Sequence, residues 1–214
     1  YLDLLFRKGG FAAERHFLAD VLTTNTTDFF REKDHFVRLN REIVPTLLDM
    51  RSSEPNPLIK VWSAASSNGA EAYSVAMLLH AMARVNPFRF SVLGTDISKR
   101  VLEEARTAIY PADMAARIPS SLAKQYVMRQ VSGANDLVRI TPELRRHVAF
   151  SPLNLTAPIY PLPQDMDVVF LRNVLIYFSK DIQSHVLERT MAHLRPGGYL
   201  SLGRSEAMAG VEQG

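Results

Sequence analysis

The amino-acid sequence predicts an α/β protein built on a doubly wound, mostly parallel sheet. Short apolar runs alternate along the chain with segments whose apolar residues recur at helical spacing, as in βαβ units. The apolar runs are continuous, which is typical of strands buried on both faces. The chain has 214 residues and 47% of them are hydrophobic, so it is long enough for one such domain with a substantial core.

The N-terminal part of the chain predicts helices. Apolar residues recur at helical spacing over 11–22, and we expect residues 1–22 to be the remnant of an N-terminal helical domain. Residues 25–28 offer several helix N-caps, and Asp34 is expected to cap the next helix. The apolar positions of that next helix are Phe36, Leu39, Ile43, Leu47 and Leu48.

Alternating strands and helices are predicted from residue 58 onward. Continuous apolar runs indicate the strands, and turn residues separate them from segments of helix-forming composition. Ser98 can cap one of these helices, because its hydroxyl can accept a hydrogen bond from a backbone N–H. We expect strands at 58–62, 88–93, 167–171 and 199–203, and helices at 70–85, 99–107 and 180–194.

Residues 119–152 do not follow this alternation of strands and helices. Polar and apolar residues alternate at 137–140 and again at 148–150, and a turn-like segment lies at 132–136. We therefore expect a small antiparallel β insertion, which forms a β subdomain at about 126–150.

The composition excludes several kinds of site. The chain has no cysteine, so disulfides, thiolate metal sites and cysteine nucleophiles are excluded. Its six histidines are dispersed without the spacing of metal ligands, and we predict no metal. No apolar run approaches the ~20 residues of a membrane-spanning helix, and we expect no membrane insertion. The net charge of +3 comes without a sustained basic run, so nucleic-acid binding is not favoured.

A nucleoside-binding site is predicted where the first two strands end. The first strand leads into a turn of small residues at 66–69, where the backbone can approach a ligand closely. This turn could equally be a tight connection, since it matches neither the dinucleotide fingerprint nor the P-loop. Asp96 follows the second strand, where an acid can accept both ribose hydroxyls; alternatively it caps the next helix, a role that Ser98 could fill. Together the turn and Asp96 favour an adenosyl cofactor.

Six blocks of sequence resemble one protein family. They read LTTNTTDFFRE at 22–32, VWSA at 61–64 with GAEAYS at 69–74, TDIS at 95–98, LNL at 153–155, RNVLIYF at 172–178 and LGRSE at 202–206. In this order they resemble the CheR family, the methyltransferases that esterify glutamates on bacterial chemoreceptors. The resemblance spans nearly the whole chain and implies a Rossmann-like methyltransferase domain at 23–214, with S-adenosylmethionine as cofactor and S-adenosylhomocysteine as product.

The resemblance also implies an activity and a partner. The activity would be that of a protein-glutamate O-methyltransferase in chemotaxis adaptation, a signal-transduction process. The partner would be the cytoplasmic domain of a methyl-accepting chemoreceptor, which implies a cytoplasmic location.

Arg31 and Tyr177 are the catalytic residues that the resemblance implies. A glutamate carboxylate is already anionic at neutral pH, so its methylation needs no general base. The planar guanidinium of Arg31 can hold a carboxylate, and Tyr177 can donate a hydrogen bond and offer its ring to a sulfonium cation. Two structural alternatives are a surface ion pair of Arg31 with Glu32 or Asp28, and core packing of Tyr177 beside Phe178.

The cofactor-binding residues are likewise implied by position in the blocks. Asp96 would hold the ribose, and Glu71 would lie near the methionine part of the cofactor. Arg172 and Asn173 would close its other side. The full set is Asn25, Thr27, Arg31, Ala65, Glu71, Asp96, Asn154, Leu155, Arg172 and Asn173, in which Asn154 and Leu155 would flank the adenine and Asn25, Thr27 and Arg31 would line the methionine end.

The cofactor loop departs from the family pattern. Members usually carry Ser/Cys-Thr-Gly-Glu-Glu-Pro, whereas this chain keeps the second acid as Glu71 and has Ala70 and Ala72 in place of the first acid and the proline. This difference motivates an alternative function, a catalytically weak or inactive S-adenosylmethionine-binding sensor or scaffold module.

Two further features bear on the partner. Members that bind the C-terminal peptide of a receptor carry a turn of the form G-x-G-x-x-x-G, whereas residues 130–136 have none of those glycines in register, so we expect no pentapeptide tethering. A nucleic-acid methyltransferase is a third alternative, but the chain reads RNVL at 172–175 where enzymes acting on exocyclic base nitrogens typically show Asn/Asp-Pro-Pro-Tyr/Phe.

Overall fold

The structure, a computed structural model, describes residues 27–129, 136–204 and 206. Its strands are β1 (Leu58–Ala64), β2 (Arg89–Asp96), β3 (Ile109–Pro111), β4 (Val127–Arg129), β5 (Leu137–Ile140), β6 (Val148–Pro152), β7 (Met166–Leu171) and β8 (Leu194–Leu202). Helix α1 runs through Lys33–Arg38, a π-helical segment Leu39–Ile43, and Val44–Asp49. The other helices are α2 (Ala70–Ala83), α3 (Lys99–Thr107), α4 (Ala112–Ala115), α5 (Ser120–Tyr126), α6 (Pro142–Arg145) and α7 (Lys180–Met191), and Leu175–Tyr177 forms a 3-10 turn.

The main sheet of the described chain has the order β6-β2-β1-β7-β8, and all neighbouring strands are parallel. Strand β1 shows why its sequence is continuously apolar. Ile59 and Val61 pack into the core on one face of the sheet, whereas Trp62 and Ala64 pack into the core on the other. The predicted α/β class with a mostly parallel sheet is therefore confirmed.

The strand register brings several loops together at one edge of this sheet. Ala64 at the end of β1 pairs with Thr95 of β2 and with Leu171 of β7, and Asp96 pairs with Pro152 of β6. Because the strands are parallel, the segments that follow β1, β2, β6 and β7 all emerge at this edge, where α/β sheets bind their ligands.

A small antiparallel sheet is present, but its membership differs from the expectation. Its order is β3-β5-β4, and β3 at Ile109–Pro111 was not expected as a strand. Residues 148–150 were assigned to this insertion, which is wrong, because they belong to β6 and pair in parallel with β2 in the main sheet. As an edge strand, β6 has one partly solvated face, so its sequence alternates just as an antiparallel strand does.

Two local predictions had opposite outcomes. The Ser98 cap is confirmed, since its hydroxyl accepts a hydrogen bond from Val101 N (3.3 Å) at the start of α3. The Asp34 cap is wrong, because α1 begins one residue earlier and Asp34 lies in its first turn. Among the described residues, no helix is long and apolar enough to cross a membrane.

Candidate active site

A cavity of about 450 Å³ lies at the carboxyl edge of the main sheet. Its walls come from the segments that follow β1, β2, β6 and β7, together with residues 27–31 ahead of α1. Asn25 lies outside the described residues. The other predicted site residues all line this cavity, namely Thr27, Arg31, Ala65, Glu71, Asp96, Asn154, Leu155, Arg172, Asn173 and Tyr177.

The turn after β1 forms the floor of the cavity with an unusual backbone. Ala65 (φ 54°), Ser67 (φ 50°) and Gly69 (φ 85°) are all left-handed, and this conformation costs residues other than glycine about 1–2 kcal/mol each. A Cβ on Gly69 would lie 2.8 Å from both Ala105 Cβ and Phe150 Cζ, so this position requires glycine for space as well as for φ. Such strain is typical of backbone that is shaped for a ligand.

Asp96 ties this turn to the end of β2. Its Oδ2 accepts a hydrogen bond from Ser67 N (2.9 Å), and its Oδ1 accepts one from Ser98 N (3.0 Å). The side chain is 7% exposed and lines the cavity. Since Ser98 provides the cap of α3, Asp96 is not needed for that role, and its carboxylate is held at the position expected for a ribose-binding acid.

Arg172 organises the charged wall of the cavity. It follows β7, is 6% exposed, and donates hydrogen bonds to Glu71 Oε2 (2.8 Å) and to the carbonyl of Arg31 (2.6 Å). It also forms an ion pair with Glu32 Oε2 (3.2 Å). The other oxygen of Glu71 accepts from Ser63 Oγ (2.7 Å), so Glu71 is held by β1 and by the segment after β7 at once.

Glu32 is a site carboxylate that sequence reasoning missed. It also accepts a hydrogen bond from Asn173 Nδ2 (3.1 Å) and contacts His35 Nε2 (3.0 Å). Burial would raise the pKa of Glu32, but the hydrogen bond from Asn173 and the charge and hydrogen bond of Arg172 lower it to about 2. Burial and the charge of Arg172 also lower the pKa of His35, although Glu32 acts in the opposite direction.

We expect the stability difference between wild type and Glu32→Gln to disappear at low pH. The folded pKa of Glu32 lies below its ordinary value of 4.5, so ionisation stabilises the fold above pH 4.5, and this contribution is lost as the pH falls to about 2. At pH 7 the variant should be less stable by on the order of 2 kcal/mol, since one pKa unit corresponds to about 1.36 kcal/mol and solvent screens part of the interaction.

Urea unfolding of both proteins at pH 7, 5 and 3 measures this difference. Glu42→Gln is the matched control, because Glu42 lies exposed on α1 and its change should have little effect at any of these pH values. A gap between wild type and Glu32→Gln that stays constant from pH 7 to pH 3 would show that Glu32 does not gain stability from its ionised form.

The mouth of the cavity carries the two predicted catalytic residues. Tyr177 is 59% exposed at the end of the 3-10 turn, so the alternative of core packing is wrong for this residue. For Arg31, the two acids of the alternative ion pair have other partners, since Glu32 binds Arg172 and Asp28 contacts Arg117 (3.4 Å).

The segment after β6 contributes Leu153, Asn154, Leu155 and Thr156 to the cavity wall. Leu155 is buried, and the side-chain oxygen of Asn154 accepts hydrogen bonds from the backbone N (2.9 Å) and hydroxyl (2.8 Å) of Thr156. Leu153 N donates to the carbonyl of Asp96 (2.9 Å), which fixes this segment beside Asp96. The apolar side chain of Leu155 is compatible with the face of a flat aromatic ring.

The polar groups of the cavity fit a nucleoside cofactor with a polar tail. Ser66 Oγ and Arg172 Nε are buried in the cavity wall and have no hydrogen-bond partner within the described ranges. Unpaired buried donors of this kind are rare unless a ligand or water completes them. In the same part of the chain, no group of histidines and acids has the arrangement of a metal site.

The fold and the cavity define an α/β protein that binds a nucleoside cofactor at the carboxyl edge of a parallel sheet. Comparison with known proteins identifies the family within this class. The family model described as CheR methyltransferase, SAM binding domain, matches residues 25–214. The chain therefore belongs to the CheR methyltransferase family, it is a methyltransferase, and S-adenosylmethionine is its cofactor, as the sequence predicted.

Two chemotaxis protein methyltransferases agree with this assignment. The chemotaxis protein methyltransferase of Escherichia coli (strain K12) is 38% identical over 216 residues, which cover 100% of this chain and 71% of that protein. The protein of the same name from Borreliella burgdorferi is 37% identical, over 90% of this chain and 68% of that protein. A solved structure of the DszA carbon methyltransferase matches with a TM-score of 0.49 and 20% identity, over 79% of this chain and 35% of that one.

Proposed function

We propose that this protein transfers the methyl group of S-adenosylmethionine to glutamate side chains in the cytoplasmic domain of a bacterial chemoreceptor. One observation carries the choice of acceptor. The described mouth of the cavity presents a guanidinium at Arg31 and a phenol at Tyr177, and no histidine, lysine or cysteine is among the described lining residues. The carboxylates in the lining are already engaged, Asp28 by Arg117, Glu71 by Arg172, and Asp96 by two backbone N–H groups. An amine or hydroxyl acceptor must lose a proton to a base, whereas a carboxylate is already ionised at neutral pH.

The cofactor residues have distinct roles in this proposal. Asp96 accepts the ribose hydroxyls, and Asn154 and Leu155 flank the adenine. Glu71, held by Ser63 and Arg172, lies beside the cationic methionine end. The remaining described members line the methionine end and the walls around it, namely Thr27, Ala65, Arg172 and Asn173. Asn25 lies outside the described residues and is assigned to the methionine end from the sequence resemblance alone.

Methyl transfer to a carboxylate requires no acid or base from the protein. Bound S-adenosylmethionine supplies a methyl group on a sulfonium sulfur; a C–O bond forms as the C–S bond breaks, and its electron pair returns to sulfur, so no proton is transferred. Arg31 holds the acceptor carboxylate, and Tyr177 orients it while its ring faces the positive charge. Alignment and exclusion of water between two opposite charges are then the main contributions of the residues at the mouth.

The altered cofactor loop keeps the acid that lines the cavity. Ala70 and Ala72 are both fully buried, and neither lines the cavity. Glu71 lies in the cavity wall, where it accepts hydrogen bonds from Ser63 and Arg172, and this retained carboxylate is the reason we favour turnover over the sensor alternative.

A labelling assay tests the proposal. The protein is incubated with methyl-labelled S-adenosylmethionine and a receptor cytoplasmic domain, and we expect label that is released as methanol by mild alkali, as from a carboxyl ester. A receptor domain with its acceptor glutamates changed to glutamine is the control, and it should take up no label before deamidation. Base-stable label would contradict the choice of acceptor, and binding of S-adenosylhomocysteine with no transfer to any receptor domain would favour the sensor alternative.

The same assay tests how the receptor is engaged. Because residues 130–136 have none of the expected glycines in register, we propose that the receptor's C-terminal peptide is not used for tethering. Receptor domains with and without this peptide should then be methylated equally well, and a strong dependence on the peptide would contradict this part of the proposal.

A further inference from the structure

The carboxylate of Glu206 lies in a ring of backbone N–H groups behind the cavity wall. Its Oε1 accepts hydrogen bonds from Val174 N and Leu175 N, both at 2.8 Å. Its Oε2 accepts from Asn173 N (2.9 Å) and Gly203 N (2.8 Å). A carboxylate has about four acceptor sites, so these four donors match its full capacity. The side chain is only 9% exposed and does not line the cavity.

Three of these donors belong to the segment that carries the mouth of the cavity. Asn173 has a left-handed backbone (φ 58°), so consecutive N–H groups of the segment point toward the same spot, as in an anion-binding nest. The 3-10 turn Leu175–Tyr177 begins there, with Leu175 buried and Tyr177 exposed at the mouth. Glu206 therefore anchors the inner side of the turn whose outer side presents Tyr177.

The fourth donor, Gly203 N, belongs to a residue with no room for a side chain beside the Glu206 carboxylate. A Cβ on Gly203 would lie 2.5 Å from Glu206 Oε2, 3.0 Å from Asn173 Nδ2 and 3.1 Å from Asn173 N. The Glu206 carboxylate is the nearest of these groups and ends a flexible side chain, so it is the group that must move most. An alanine at this position would displace the carboxylate without removing it.

The walls of the cavity differ in how they are held. Arg172 is fixed by direct ion pairs with Glu71 and Glu32, whereas Glu206 holds the backbone of the residues that follow, 173–175. Two of the backbone N–H groups at the start of the Tyr177 turn donate to Glu206, while Gln183 Nε2 donates to the carbonyls of Leu175 (3.0 Å) and Phe178 (2.9 Å) from the side of α7. Loss of the Glu206 carboxylate should therefore disturb Tyr177 more than it disturbs the charged wall around the cofactor.

We propose that Glu206 is a positioning residue for methyl transfer, which fixes Tyr177 at the mouth of the cavity through the backbone of residues 173–175. This inference rests on the proposed function, in which Tyr177 orients the acceptor carboxylate. Glu206→Gln replaces one acceptor oxygen with an N–H donor that would face other N–H donors, so at least one side of the ring must open.

The experiment measures kcat, KM and S-adenosylhomocysteine affinity for Glu206→Gln and Gly203→Ala at a temperature well below the Tm of each variant. We expect kcat to fall about 10- to 100-fold in both, because small misplacements of reacting groups have effects of this size, while cofactor affinity changes much less. Glu188→Gln is the matched control, since Glu188 is exposed on α7, and it should behave as wild type.

A double-mutant cycle separates positioning from a general effect on the fold. If Glu206 acts through Tyr177, then Glu206→Gln should add little to the loss caused by Tyr177→Phe. Additive losses, unchanged kcat, or a fall in cofactor affinity as large as the fall in kcat would each overturn the inference. If Glu206→Gln does not fold, Gly203→Ala alone decides, because it keeps the carboxylate. Absence of carboxyl methylation by the wild type would refute the proposed function itself, which is a distinguishable result.

Discussion

Arg172→Met is expected to lower the free energy of unfolding by about 3–5 kcal/mol at pH 7. The substitution removes the partner of Glu71 and of Glu32 and leaves both carboxylates uncompensated in a mostly buried site. Methionine keeps an apolar stem beside Phe36, whose ring lies 5.7 Å from Arg172 Cζ, so the loss reports mainly on charge and hydrogen bonding.

Urea unfolding at pH 7 measures this loss of stability. Two further variants show whether the loss comes from the ion pairs of Arg172. Arg38→Met removes an exposed arginine that pairs with Glu42 on α1, and it should change stability by less than about 1 kcal/mol. Adding Glu32→Gln to Arg172→Met should recover part of the loss, because one uncompensated charge is then removed. A loss below about 1 kcal/mol for Arg172→Met would mean that the network is not stabilising.

Asp96→Asn is expected to weaken S-adenosylhomocysteine binding about 10- to 100-fold. A hydrogen bond to a charged group contributes about 1.5–3 kcal/mol, and each 1.4 kcal/mol corresponds to a factor of about ten in affinity. The change removes the charge from the ribose-binding position but keeps one oxygen that can still accept from Ser67 N or Ser98 N, so the turn should persist.

Calorimetric titration of both proteins measures the effect, and a neighbouring variant serves as the control. Ser98→Ala removes the cap of α3 and should cost about 1 kcal/mol of stability, yet it should leave cofactor affinity nearly unchanged, since Ser98 does not line the described cavity. Equal affinity of wild type and Asp96→Asn would place the ribose contact elsewhere.

Much of the fold could be predicted from local sequence because local physics determines it. Strand β1 is recognisable in the sequence because both of its faces are buried, which makes it continuously apolar. The Ser98 cap is recognisable because a helix cap depends on residues only a few positions away. Residues 148–150 were misassigned because alternation is shared by antiparallel strands and by the partly solvated edge of a parallel sheet.

The interior of the site was harder to predict because its contacts are distant in sequence. Arg172 and Glu71 are 101 residues apart, and Glu32 and Asn173 are 141 apart. No periodicity links such pairs, so the cavity residues were found through ordered motifs, whereas the ion-pair network that holds them was not. The left-handed backbone at Ala65 and Ser67 was also not predictable, since neither residue type favours it.

A crystal structure of the complex with S-adenosylhomocysteine would show whether the cofactor binds at the carboxyl edge of the sheet. We expect ribose hydroxyls at about 2.5–3.0 Å from the Asp96 carboxylate, the adenine beside Leu155, and the sulfur facing the mouth between Arg31 and Tyr177. A ligand bound away from the carboxyl edge of the sheet, or a ribose without contact to Asp96, would contradict this expectation.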